Sequence, residues 1–137
     1  MRTDNLTFKS LENNDIYKLI DVTREGIDYN TFNEFTISYP LNSSTWSKIL
    51  NMSERTIQRY RREKKRLDSI HTEKLLLIML LFNKGVSVFG NTSNFLAWLN
   101  AKNIPLGGVK PIDLLDNSFG INMVKDELIK IEHGVLA

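Results

Sequence analysis

The side chains best equipped for chemistry in this sequence are arginines, and their spacing matters more than their number. Arg55, Arg59 and Arg62 stand at i, i+4 and i+7 within SERTIQRYRR. At about 100° per residue they stack along one side of a helix, while Ile57 and Tyr60 fall on the other. One edge can pack, and the other can only meet water or an anion. Guanidinium groups present paired donors that fit a guanine edge or a phosphate. Arg55, Thr56 and Gln58, toward the N-terminal half, are placed for base edges, and Arg59 and Arg62 for phosphates. The competing reading of such a stripe is a solvated charged face.

The elements that must position this stripe are also written in the chain. Ser53 is a helix N-cap with Glu54 behind it, and Asn51 in the preceding turn tolerates a left-handed backbone. Before it, Ser43 or Ser44 caps a shorter helix with Trp46, Ile49 and Leu50 at i, i+3 and i+4. Small Ser47 falls where the two helices would cross closely. This arrangement resembles the helix-turn-helix of bacterial repressors, with Trp46, Leu50, Met52, Ile57 and Tyr60 at its apolar positions and Asn51 where glycine is usual. The resemblance reverses the balance between solvated face and DNA contact, so Ser53, Arg55, Thr56, Gln58, Arg59 and Arg62 are the candidate DNA-binding residues. Paired half-sites, usual for such proteins, imply a homodimer.

Catalysis finds little support. The two histidines, His71 and His133, are far apart, and neither has a metal-ligand or nucleophile constellation beside it. PLGGVKP lacks the lysine–hydroxyl ending of a phosphate loop. With no cysteine, nothing points to a thiol nucleophile, a zinc finger or an oxidising compartment. No enzyme activity, catalytic residue, metal or cofactor is expected.

At 137 residues, with 42% hydrophobic and 25% charged residues, the chain has the composition of a globular protein. That length suffices to bury about two-thirds of the unfolded surface. The N-terminus carries no apolar run resembling a signal peptide, and the longest run, Leu75 to Phe82, is far short of the ~20 residues of a membrane span. A cytoplasmic protein without membrane contact is the expectation. The net charge of +2 hides a segregation: Ser53 to Arg66 holds seven basic and two acidic residues, a net of +5, leaving −3 for the remainder. One face for nucleic acid and another for a different partner would suit that division.

Residues 1–13 read as a polar tail in which Leu6, Phe8 and Leu11 are apolar, and 14–68 as the helix-turn-helix domain. Its first helix is expected from about Asn14, burying Ile16, Leu19 and Ile20 and stopping at Gly26, with a further turn or two around Phe32 and Phe35 before Pro40. EKKRLD is too polar to be core. A connecting core helix is assigned to 69–90, since leucine and methionine outnumber β-branched residues and the pattern exceeds strand length. Helix apolar on all sides is helix surrounded by protein. Gly85 is a candidate weak point and Gly90 the end.

In the remaining 91–137, Asn91, Thr92 or Ser93 caps a helix with Phe95, Leu96, Trp98 and Leu99, of which Trp98 is expected in the core. Pro111 opens another with Ile112, Leu114 and Leu115. Phe119 and Gly120 read as a turn, and Ile121, Val124, Leu128 and Ile131 as the stripe of a last helix closed by Gly134, with Val135 folding back. The segment after that helix has few residues left to bury it, which makes Glu132, His133, Val135 and Leu136 candidates for reaching a partner. Gly107 and Gly108 fit either a sharp internal turn or a close approach to a neighbour.

The order VFG (Val88 to Gly90), AWL (Ala97 to Leu99), PLGGVKPIDLL (Pro105 to Leu115), Gly120, Val124 and IEHGVLA (Ile131 to Ala137) closely resembles the toxin-binding domain of Xre/MbcA/ParS antitoxins. The likeness extends backward through RTIQRYRREKKRLD and the helix-turn-helix to about residue 14. It implies an all-α fold: a Cro/Xre-like helix-turn-helix domain joined by a long buried helix to a small helical toxin-binding domain. It further implies an antitoxin that blocks the active site of a RES-domain, NAD-consuming toxin without itself binding NAD, and that represses its own operon at operator DNA. Leu106, Gly107, Gly108, Lys110, Pro111, Glu132, His133, Gly134, Val135 and Leu136 are the toxin-binding residues this suggests. The alternative is a stand-alone regulator whose C-terminal half dimerises or binds another partner.

Overall fold

A computed structural model describes residues 15–134. The tail expected over 1–13, the helix start expected near Asn14, and Val135 and Leu136 lie outside the described residues. Among the described residues seven α-helices follow one another: α1 (Ile16–Glu25), α2 (Tyr29–Ser38), α3 (Ser43–Leu50), α4 (Glu54–Glu63), α5 (Ser69–Phe89), α6 (Thr92–Leu99) and α7 (Ser118–Glu132). Two 3-10 turns, Ile104–Leu106 and Pro111–Leu114, separate the last pair. The only β-type pairing among the described residues is an isolated bridge between Asn103 and Val109, so the fold is all-α. Two compact units divide the chain, one ending at Met79 and the other beginning at Leu80, so that α5 contributes a half to each.

Short polar side chains start most of these helices. Asp15, Asp28, Asn42, Ser53, Asn91 and Asn117 each accept a hydrogen bond from a backbone N–H two or three residues ahead. Each such cap stabilises its helix by about 1 kcal/mol. The cap of α3 is therefore Asn42 and neither Ser43 nor Ser44. Asparagine and serine cap about equally well, and starting one residue earlier adds the bond from Trp46 N–H to the Asn42 carbonyl.

In the first unit, Phe32, Phe35, Trp46, Ile49, Leu50, Ile57, Leu75 and Ile78 are buried almost completely. Phe35 meets Trp46 edge-on at 5.5 Å and Tyr39 at 5.1 Å, geometries that suit the ring quadrupoles. Burial pushes the Tyr39 phenol up to about 12, so it stays neutral at ordinary pH. Two expectations fail here. Ile16 and Ile20 of α1 are 60% and 39% exposed, and the helix is buried instead through Val22, near its C-terminal end. Leu67, within the polar EKKRLD stretch, is buried.

Both differences have one cause. The loop after α1 pairs with the loop after α4: Leu67 N–H donates to the Ile27 carbonyl at 2.9 Å, and Arg66 Nη1 to the Gly26 carbonyl at 3.0 Å. Fully buried Thr72 closes the arrangement, its hydroxyl accepting from Ile27 N–H at 3.1 Å and donating to the Leu67 carbonyl at 3.3 Å. Fixing Ile27 and Leu67 here buries both and sets the end of α1 that packs.

The second unit is built on Leu81, Phe82, Phe95, Leu99, Leu106, Leu115, Ile121, Val124 and Leu128. Gly85 is a point of contact and no weakness, because a Cβ there would run into the Phe95 ring. Phe119 and Gly120 belong to the first turn of α7 and form no separate turn, since the Asn117 side chain caps the helix ahead of them at Gly120 N–H. A Cβ on Gly120 would meet the Leu114 carbonyl oxygen, so glycine here allows close packing. Trp98 is half-buried, its ring stacked near Phe95 and 5.4 Å from Phe89. No single helix among the described residues is long and apolar enough to cross a membrane; α5 and α6 pass that test only as a pair, bent by 110°.

Two measurements check this account. Thr72→Val should lower the urea-unfolding free energy by about 1–3 kcal/mol, because it leaves the Ile27 N–H buried without an acceptor. Asp68 caps α5 through His71 N–H at 2.8 Å and faces the His71 ring Nδ1 at 2.9 Å. Slight burial pushes its carboxyl up, but the bonds and attraction from His71 and the Ile70 N–H outweigh that, and the net direction is down. Its contribution is thus present above the ordinary carboxylate value of 3.8 and lost as pH falls below it. Asp68→Asn should flatten the acid limb of the stability–pH curve below about pH 4 by lowering stability at neutral pH toward its acid value, since asparagine keeps the cap and loses the charge.

Candidate functional site

The turn between α3 and α4 decides where the arginine face points. Asn51 adopts the left-handed conformation, φ 55° and ψ 41°, as its side chain permits. Met52 N–H donates to the Ser47 carbonyl at 3.1 Å, and the Ser47 hydroxyl donates back to the Met52 carbonyl. A larger residue at Ser47 would separate these strands of backbone. On the far side of the turn, His71 Nε2 lies 3.4 Å from the Asn51 carbonyl oxygen while Nδ1 faces Asp68, so this histidine braces the motif from α5.

Helix α4 then divides as its sequence requires. Trp46, Leu50, Met52 and Ile57 are buried and Tyr60 is half-buried. Arg55, Gln58, Arg59 and Arg62 are exposed, and among the described residues the three arginines form no ion pair. Ser53 Oγ accepts from Thr56 N–H at 3.0 Å and donates to Thr56 Oγ1 at 2.8 Å, so both side chains hold the helix start. Thr56, half-buried, keeps its own hydroxyl proton to offer. Arg61 is withdrawn from the exposed charge, its Nη2 directed at Thr36 Oγ1 of α2 at 3.5 Å. Lys64 ends α4 in a left-handed conformation that its residue type does not announce.

The second group of candidates sits on two segments. Leu106 and Pro111 are buried and anchor the loop between the 3-10 turns, while Gly107, Gly108 and Lys110 are exposed on it. Asn103 organises the loop: its N–H donates to the Val109 carbonyl, its own carbonyl accepts from Gly108 N–H at 2.8 Å, and its side chain accepts from Leu106 N–H. Gly107 and Gly108 have φ of 92° and 81°, and a Cβ on either would touch nothing within 4 Å. Their backbone conformation therefore requires glycine, and no part of the described chain covers them. Ile104, beside them, is an apolar side chain left 87% exposed. At the other segment, Glu132 ends α7 with its carboxylate 2.6 Å from Lys84 Nζ, His133 and Gly134 are exposed, and Gly134 turns left-handed at φ 66°.

A basic helix on a fixed turn, and an exposed glycine loop with an exposed helix end in the other unit, are the features to be matched with known proteins. The sequence model of the antitoxin Xre-like helix-turn-helix domain matches residues 18–80, and that of the antitoxin Xre/MbcA/ParS C-terminal toxin-binding domain matches residues 84–134. The chain is an antitoxin of the Xre/MbcA/ParS family. A comparison with curated proteins finds no match. The first match in this antitoxin includes α2, α3 and α4 with the whole arginine stripe, and the second runs from Lys84 through the glycine loop to Gly134.

If the exposed face of α4 meets DNA, Arg59→Ala should weaken binding to all sequences and reduce the slope of log affinity against log salt by about one unit. Arg55→Ala should instead relax base preference at one position. Fluorescence anisotropy over a salt series separates the two, and unchanged affinity in both variants would return the stripe to solvent.

Proposed function

We propose that this antitoxin binds a RES-domain toxin that consumes NAD, covers its active site with the C-terminal unit, and represses its own operon as a homodimer through α4. The observation that carries the reading is the joining of two separable capacities in one chain: an arginine face that forms no ion pair among the described residues, and a unit matched to toxin-binding domains whose glycine loop and helix end are exposed. The toxin class is supported by the ordered motifs from Val88 to Ala137, which resemble those of antitoxins paired with RES toxins. The chain itself is proposed to carry no catalysis. Acting on an NAD-consuming partner and on operator DNA, it would work in the cytoplasm.

The surfaces assigned to the toxin are the loop Gly107, Gly108 and Lys110, held by Leu106 and Pro111, and the terminal segment Glu132, His133, Gly134, Val135 and Leu136. Ending the chain after Glu132 removes everything from His133 onward and keeps Glu132 with its ion pair to Lys84. The shortened chain should fail to relieve growth arrest when co-expressed with the neighbouring toxin gene, while binding operator DNA within about twofold of the full chain, since α4 belongs to the other unit. Protection by the shortened chain would overturn the role of the tail. Absence of any RES-like gene beside this one would favour a stand-alone regulator whose C-terminal half has another partner.

A further inference from the structure

An acidic residue at the last position of a helix is misplaced by local rules. The carbonyl end of α7 carries partial negative charge, which repels a carboxylate and favours a cation. Glu132 nevertheless stands there, and its Oε1 lies 2.6 Å from Nζ of Lys84, on α5 and forty-eight residues earlier. The next residues leave the helix: His133 N–H bonds to the Ile129 carbonyl, Gly134 N–H to the Ile131 carbonyl, and Gly134 turns left-handed. Glu132 is thus the last helical residue before the chain departs, and it is fastened to a different element of the same unit. His133 Nε2 lies 3.9 Å from the same carboxylate oxygen.

We propose that Lys84 and Glu132 are positioning residues: their ion pair holds the end of α7 so that the segment after it leaves in the direction the toxin requires, and Glu132 does not itself contact the toxin. This rests on the tail-insertion reading given above, and it reassigns one of the residues proposed there. Both side chains are about one-third exposed, at 34% and 36%, so solvent and salt weaken the pair and its effect falls on orientation more than on overall stability. Breaking it lowers the fraction of chains with His133 and Gly134 in place, and apparent affinity falls in proportion to that fraction.

The test is a charge-exchange cycle in the full-length antitoxin. Lys84→Met and Glu132→Gln should each weaken binding to the RES-domain toxin by about two- to fivefold, the range set by exposed ion pairs. The double variant Lys84→Glu with Glu132→Lys should restore it, since it re-forms the pair and also places a cation at the helix end. A direct toxin contact gives a different pattern, in which Glu132→Gln weakens binding, Lys84→Met leaves it unchanged, and the exchange fails to rescue; that result overturns the proposal. A second readout does not depend on the toxin. Amide hydrogen exchange at His133 and Gly134 should speed up about two- to fivefold in Lys84→Met and return toward the wild-type rate in the exchanged variant. Unchanged exchange in Lys84→Met would also overturn the positioning role. Failure of the unaltered antitoxin to bind any RES-domain protein, with the exchange pattern intact, would instead remove the toxin assignment and leave the pair as an anchor of the helix end.

Discussion

The hydroxyl of Thr72 carries a disproportionate share of the first unit. It lies fully buried at the start of α5, where a lone polar group would be costly, and it is satisfied in both directions by loop backbone, that of Ile27 forty-five residues earlier and that of Leu67 five residues earlier. Around it the segments 26–27 and 66–67 lie together through main-chain bonds. Loops seldom become interior because their peptide groups need partners. Here each loop supplies the other's, and a threonine completes the set. The consequence reaches α4, whose C-terminal connection is thereby fixed, just as the Asn51 turn fixes its N-terminal one.

With both ends of α4 held, the charge on its outer face needs no internal partner to stay in place. Ile57 and the half-buried Tyr60 anchor one edge, and Arg55, Arg59 and Arg62 extend from the other. Exposed arginines at this spacing repel one another and are stabilised by hydration, and an array of phosphates would offer them a better environment. Arg61 is the contrast: one step around the helix, its guanidinium is drawn against α2 and contributes to packing.

The second unit uses small residues in two ways. Gly85 and Gly120 give up side chains so that Phe95 and the Leu114 carbonyl can approach. Gly107 and Gly108 have open space around them and serve backbone conformation alone. The first pair tightens the interior from which the loop and the α7 terminus project; the second shapes the projection. For the toxin surface proposed above, such a base means preorganisation, which reduces the ordering cost of association.

Local signals determined much of this protein. The all-α class, the Ser53 cap, the left-handed Asn51, the buried face of the helix-turn-helix and the long apolar helix all follow from short-range periodicity and side-chain sterics, which the neighbouring residues themselves specify. The candidate DNA face was legible for the same reason, since i, i+4 and i+7 spacing on one helix needs no knowledge of any other element. What tertiary structure alone decided was every feature that depends on residues far apart in sequence. Leu67 looks like a stray apolar residue in a polar loop until Ile27 and Thr72 come beside it; Ile16 and Ile20 look like core until the fastening near Gly26 shows which end of α1 packs. Gly85 and Gly120 look like breaks until Phe95 and Leu114 fill the space their side chains would have taken. Glu132 looks like a free acid at a helix end until Lys84 arrives from forty-eight residues away, because a one-dimensional pattern records what a residue is and leaves open what will be opposite it.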